Sequence, residues 1–179
     1  AKSRGLVIGR DGRRGSDLFA REAAAVAVGR GFTVHWLDDL APTPLTAFAV
    51  LDLGAAAGVM VTASHNPPEY NGYKVYWGNG AQIVPPHDTG IAAAIEAIPS
   101  VKQLRTLDVE GGRALGHLKV VPPGVIRRYL DAILALDFGL PQDRSIVIAY
   151  TPLHGVGGKL LRQAFDEAGF KELHVVAEQ

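Results

Sequence analysis

Two kinds of hydrophobic spacing alternate through the first 63 residues, and that alternation leaves few folds open. Gly5 to Gly9, Thr33 to Leu37 and Gly58 to Ala63 are short apolar runs rich in β-branched residues, the pattern of buried strands. Between the first two, Ser16 or Asp17 can N-cap a helix on which Phe19, Ala23 and Val26 recur at helical spacing, and Gly29 and Gly31 end it. A turn through Pro42 and Pro44 then leads into a helix near Leu45 to Leu53, with Phe48 and Leu51 expected inward. Strand, helix, strand, helix, strand with short links requires right-handed crossovers and a largely parallel sheet.

Further along, Tyr73 to Trp77 and Ala81 to Val84 flank Gly78-Asn79-Gly80, a hairpin signal that makes the sheet mixed. A helix over Pro86 to Ile98 carries Ile91, Ile95 and Ile98 on one face. From Pro99 to Pro123 the pattern dissolves into a connection, with a short edge strand at Leu118 to Val121. A second unit opens with an amphipathic helix, Ile126 to Leu136, which Gly139 and Pro141 break. Ser145 to Tyr150 reads as a buried strand, Lys159 to Ala168 as a helix ended by Gly169, and Leu173 to Ala177 as another strand. The expected architecture is a three-layer α/β sandwich with a mixed, mostly parallel sheet over 1–120. Residues 121–179 are then the incomplete start of a second, similar domain, because one βαβ unit and a helix are too little to close one.

The chemistry concentrates where the third strand ends. Thr62-Ala63-Ser64-His65-Asn66-Pro67-Pro68 can continue neither as strand nor as helix, since Asn66 precedes a proline and the two prolines donate no backbone hydrogen. A serine on a stiff loop at a strand C-terminus stands where α/β sheets place their chemistry. The hydrolase elbow fails, because Thr62 and Asn66 replace its glycines. His65 is a poor base for Ser64, as adjacent side chains in an extended segment point apart. Gly158-Lys159 is no phosphate loop, with Leu153 and Leu160 at its defining positions, and Leu160 also breaks a dinucleotide fingerprint. That loop reads as structural, with His154 hydrogen-bonded in its turn. The basic turn Arg10-Asp11-Gly12-Arg13-Arg14 before a helix is a natural anion site, to which Arg10 and Arg13 contribute if the first strand neighbours the third; Arg14 reads as surface charge.

Thr62 to Pro67 followed by Asn71-Gly72-Tyr73-Lys74 resembles the active-site serine signature of the α-D-phosphohexomutases, the phosphoglucomutase and phosphomannomutase family. Gly9 to Arg13 and Pro42-Thr43-Pro44 follow that family's first domain in order. Tyr73 to Trp77, Gly80 to Ile83 and Pro86-His87-Asp88 resemble its branch with phosphopentomutase-like and bisphosphate-synthesising members, and Thr151 to Gly157 resembles the start of its second domain. The resemblance implies the N-terminal part of a four-domain enzyme that moves phosphate between the 1- and 6- (or 5-) positions of a sugar phosphate. In it Ser64 carries the phosphoryl group and supplies one Mg²⁺ ligand, Lys74 works as acid and base, and His65 and Asn66 orient the reacting oxygens. Hexose 1,6-bisphosphate is the implied activator, and the remaining domains are the implied partners. The family's Asp-x-Asp-x-Asp-Arg metal loop, its sugar-reading loop and its phosphate clamp are absent from this sequence, so the isolated piece is expected to be inactive. A non-catalytic phosphosugar-binding or scaffolding module is the rival reading.

Composition narrows the partners. Lys plus Arg and Asp plus Glu are each 18, so no global field draws nucleic acid or an anionic membrane. With no cysteine and no apolar run of membrane-spanning length, the expectation is a cytoplasmic protein acting on a small molecule.

Overall fold

In a computed structural model that describes residues 1–136 and 143–177, five strands form one sheet in the order β4-β3-β1-β2-β5. They are β1 (Leu6–Arg10), β2 (Val34–Trp36), β3 (Ala57–Val61), β4 (Tyr73–Trp77) and β5 (Leu118–Val120). β1 pairs in parallel with β2 and β3, β5 pairs in parallel with β2, and β4 is the antiparallel edge. The sheet belongs to the first of two compact units, Ala1–Val121 and Pro122–Gln179.

Strand alternation sorts the helices onto opposite faces. Ile8, Val34, Trp36 and Val61 form one buried cluster with Ala20, Ala24, Ala27 and Val28 of α1 (Ser16–Gly29) and Val109 of α4 (Val109–Ala114). The odd-numbered neighbour of Ile8 faces the other way: a Cβ on Gly9 would fall on the hydroxyl of Thr46 in α2 (Thr43–Asp52) and 3.1 Å from Leu37 Cδ1. The sheet is therefore covered on both faces, an α/β/α arrangement.

Of the residues at helical spacing on α1, Ala23 packs against the core cluster and Phe19 does not, and on α2 Leu51 does not turn inward as expected. α1 turns Ala20, Ala24 and Ala27 to the sheet and leaves Phe19 41% exposed; α2 buries Leu45, Thr46, Ala49 and Val50 and leaves Leu51 55% exposed. α1 from Ala23 to Val28 and most of α2 are apolar without a break, so spacing there does not choose a face, and the small side chains win where a helix lies close on a sheet. Ser16 does not cap α1 either. Gly15, at φ 77°, occupies the N-cap without a side-chain bond, and Ser16 turns inward. The hairpin beyond β4 keeps its turn, with Trp77 N–H donating to Ala81 O at 2.9 Å, but its return limb shrinks to the single bridge Tyr76–Gln82. α3 (His87–Glu96) is shorter than expected and buries no residue, so the inward face of Ile91, Ile95 and Ile98 does not form.

α4 was hidden by Gly111 and Gly112, poor helix formers. Its start is fixed by the Asp108 side chain, which accepts from Gly111 N–H at 2.7 Å. The second unit holds α5 (Pro123–Leu134), β6 (Ile148–Tyr150), α6 (Gly158–Glu167) and β7 (Leu173–Val175), with β6 and β7 parallel. Arg127 of α5 grips both carboxylate oxygens of Glu167 in α6, at 2.8 and 2.7 Å. β6 is only the last half of the strand expected there, since Ile146 and Val147 are exposed. The break expected at Gly139 and Pro141 lies outside the described residues. Among the described residues no helix is long and apolar enough to cross a membrane.

Candidate functional site

Because β1 and β3 are parallel neighbours, their C-terminal ends deliver two loops to one place. Arg10 and Val61 are register partners, and Asp11 N–H donates to Val61 O at 3.1 Å. The loop after β3 is closed at its stem by Thr62 N–H on Gly72 O, 3.0 Å. Within it, Ala63 to Asn66 form a tight turn, Asn66 N–H donating to Ala63 O at 3.0 Å. Ser64, the first central residue, has φ 57°, while His65 stays at negative φ. This is the II′ pattern, whose first central position favours glycine. A side-chain-bearing residue there costs about 1–2 kcal/mol, so the hydroxyl is held against backbone preference.

The serine is exposed, its N–H tied to Thr62 Oγ1 at 3.0 Å. Its Oγ lies 3.4 Å from His65 Nδ1. That contact corrects the expectation that the two side chains point apart: the positive φ at Ser64 removes the alternation of an extended strand. Asn66 is exposed beside them.

Arg13 reaches across from the β1 loop to the backbone of the serine loop. Nη2 donates to Ser64 O and Asn66 O, both at 2.7 Å, and Nη1 to Pro67 O at 2.8 Å and Tyr70 O at 3.3 Å. Its Nε lies 3.3 Å from Asp11 Oδ2. Asp11 Oδ1 in turn accepts from Arg13 N–H at 3.0 Å and from the buried Ser16 hydroxyl at 2.6 Å. Asn71 Nδ2 completes the ring, donating to Ser16 Oγ at 2.9 Å and to Arg14 O at 3.2 Å. Asp11 and Asn71 stand in motifs read from the sequence and Ser16 was expected as a helix cap, but none of the three was expected at the site. A usable signal was Ser16 itself, a hydroxyl just behind a glycine cap, which needs a partner when buried.

Arg10 goes the other way. It donates to Leu37 O and Asp38 O, both at 3.0 Å, lies over the Trp36 ring at 5.2 Å, and pairs with Asp17 at 2.9 Å without hydrogen-bond alignment. The hydrogen bond from Arg21, helped by Arg10, holds the Asp17 carboxyl below its usual range. Arg10 thus faces the end of β2, and only Arg13 of the pair meets the serine loop. Lys74 is half-buried on β4 opposite Met60, and no hydrogen bond or ion pair engages its ammonium among the described residues. In the second unit, Gly155 N–H on Pro152 O (2.8 Å) closes a turn whose central residues are Leu153, at φ 52°, and His154; the His154 side chain is exposed and makes no hydrogen bond among the described residues.

The donor set for a metal is thin. Among the described residues no group of three or more His, Asp or Glu could hold an ion. A phosphoryl oxygen on Ser64 would be one hard ligand for Mg²⁺, and such a cation needs others.

Comparison with known proteins agrees with the fold that carries this site. Residues 1–102 match the model of phosphoglucomutase/phosphomannomutase, α/β/α domain I. The chain is 43% identical over 182 residues to a Schizosaccharomyces pombe protein assigned as a phosphoribomutase, covering 98% of this chain and 29% of the relative. It is 50% identical over 173 residues to the phosphopentomutase of Mus musculus, covering 92% of this chain and 28% of the relative. A solved structure from Thermus thermophilus, assigned as a phosphomannomutase, superposes with a TM-score of 0.77 at 32% identity over 97% of this chain and 37% of that one. The chain therefore spans under a third of the length of these two sequence relatives.

Proposed function

The chain belongs to the phosphoglucomutase/phosphomannomutase family, and on that footing we propose that it supplies the phosphoryl-carrying serine of a phosphosugar mutase. One observation carries the reading: the exposed Ser64 hydroxyl sits at a backbone angle that disfavours any side chain, on a loop whose carbonyls are pinned from the neighbouring strand. Strain kept at an exposed nucleophile is what a chemical role would maintain.

In the working state Ser64 carries a phosphoryl group. A sugar-phosphate hydroxyl attacks the phosphorus; its new P–O bond forms as the P–Oγ bond breaks, its proton passes to a base, and Oγ regains a proton. Lys74 is the acid and base in this reading, and His65 and Asn66 orient the reacting oxygens. The bisphosphate so formed turns round, and its other phosphate returns to Ser64. Phosphoryl transfer needs positioning and charge neutralisation more than covalent help, and a loop whose carbonyls are pinned from the neighbouring strand suits the first of these. Mg²⁺, when bound, would neutralise phosphoryl charge, mostly through residues beyond those of this chain. The relatives' names point to pentose or hexose phosphates as the substrate class; in this reading phosphate is exchanged between position 1 and position 5 or 6, a hexose 1,6-bisphosphate is the activator, and the remaining domains are the partners.

The test is turnover by the complete gene product, following ribose 1- and 5-phosphates and glucose 1- and 6-phosphates. Ser64→Ala should abolish interconversion, and Lys74→Ala should slow it about 10²- to 10⁴-fold while leaving Ser64 able to hold phosphate. Near-native turnover by Ser64→Ala would refute the assignment.

A further inference from the structure

We infer that Arg13 is a positioning residue of this loop, one that binds no phosphate itself but turns the His65 amide outward beside the phosphate-bearing oxygen. The inference rests on the reading of Ser64 as the phosphoryl carrier. A guanidinium has five N–H bonds. In Arg13 four of them go to the carbonyls of Ser64, Asn66, Pro67 and Tyr70, and the fifth faces the Asp11 carboxylate. None remains for an anionic ligand, and the side chain is 14% exposed.

What this grip does follows from peptide geometry. In a trans peptide the carbonyl and the next N–H point to opposite sides, and the bonds of this loop are trans. Drawing the Ser64 and Tyr70 carbonyls inward therefore sends the N–H groups of His65 and Asn71 outward. The carbonyls of Asn66 and Pro67 are followed by Pro67 and Pro68, which have no N–H to expose. Four inward carbonyls thus leave two outward amides, and neither finds an acceptor among the described residues. The His65 amide directly follows Ser64, where an outward N–H meets a phosphoryl oxygen on Oγ. The chain Asn71–Ser16–Asp11 fixes Arg13 from behind. Lysine keeps the charge but, with three tetrahedral donors, cannot hold four carbonyls in this fan.

The experiment uses the complete gene product with Arg13→Lys and Arg13→Ala. Both should lower kcat about 10²-fold with KM changed only a few-fold, because a misplaced reacting group costs rate and not substrate affinity. Added methylguanidinium should restore part of the Arg13→Ala rate. Amide hydrogen exchange read by peptide should quicken in both variants over 63–72, with β1 and β3 still protected. A raised KM at unchanged kcat would make Arg13 a phosphate ligand and overturn the inference. So would native exchange in the loop, or protection lost throughout β1 and β3, which would make Arg13 a residue of the fold. If Ser64 of the unaltered protein accepts no phosphate, the mutase reading fails, and the exchange result still decides whether Arg13 holds the loop.

Discussion

Replacing Ser64 by glycine should stabilise the first unit even as it removes the proposed nucleophile. With φ at 57°, a Cβ at position 64 carries about 1–2 kcal/mol of strain that glycine does not. Against that stands glycine's larger freedom in the unfolded chain, worth about 0.5–1 kcal/mol. The balance is a gain of about 0.5–1 kcal/mol for Ser64→Gly over Ser64→Ala, which keeps the strain. Ser64→Ala itself should stay within about 0.5 kcal/mol of the natural chain, since the hydroxyl is exposed and makes one long contact, 3.4 Å to His65. The assay is urea unfolding followed by tryptophan fluorescence. Both tryptophans, Trp36 and Trp77, lie in the unit that carries the loop, so the signal reports on that unit. With a slope of about 2 kcal/mol per molar urea, the midpoint of Ser64→Gly should lie about 0.3–0.5 M above that of Ser64→Ala. Equal midpoints, or a lower one for glycine, would show that Ser64 is not strained and would remove the physical reason for singling it out.

Gly9→Ala should destabilise the first unit by about 1–3 kcal/mol, because its Cβ would land on the buried Thr46 hydroxyl; a urea midpoint unchanged from the natural chain would mean α2 can shift at no cost. In the second unit, hydrogen bonds from Arg127 and Gln163 hold the Glu167 carboxyl at about 2, below its ordinary 4.5. A depressed carboxyl adds stability that is present above the unfolded value and disappears as pH falls through the folded one. The stability difference between the natural chain and Glu167→Gln, from urea midpoints, should therefore be full above pH 4.5 and shrink towards pH 2; a difference constant over that range would contradict it.

The serine loop was legible because its signals are local. A β-branched run, a hydroxyl and two prolines within ten residues announce a strand end and a stiff turn. The conformation of Ser64 was not legible, since nothing in Ala63 or His65 requires positive φ. Nor was the role of Arg13, whose acceptors lie 51 to 57 residues away and are backbone atoms that no side-chain pattern marks. The largely parallel sheet followed from alternation of strand and helix, but its strand order did not, nor did the buried faces of α1 and α2, because Ala23 to Val28 and Leu45 to Leu51 are apolar almost throughout. α4 escaped for the opposite reason: its Gly111 and Gly112 read as loop, and tertiary packing of Val109 overrode propensity. The edge strand β5 was faint in sequence and present in the fold, since its Leu118 supplies a buried side chain beside Val34.

The most direct test of the account is where phosphate sits on the protein. The complete gene product, incubated with a hexose or pentose bisphosphate and Mg²⁺ and then digested, should yield one phosphopeptide by mass spectrometry, modified at Ser64, and Ser64→Ala should yield none. Phosphate on another residue, or on none while the natural protein turns over sugar phosphates, would contradict the claim that this loop carries the phosphoryl group.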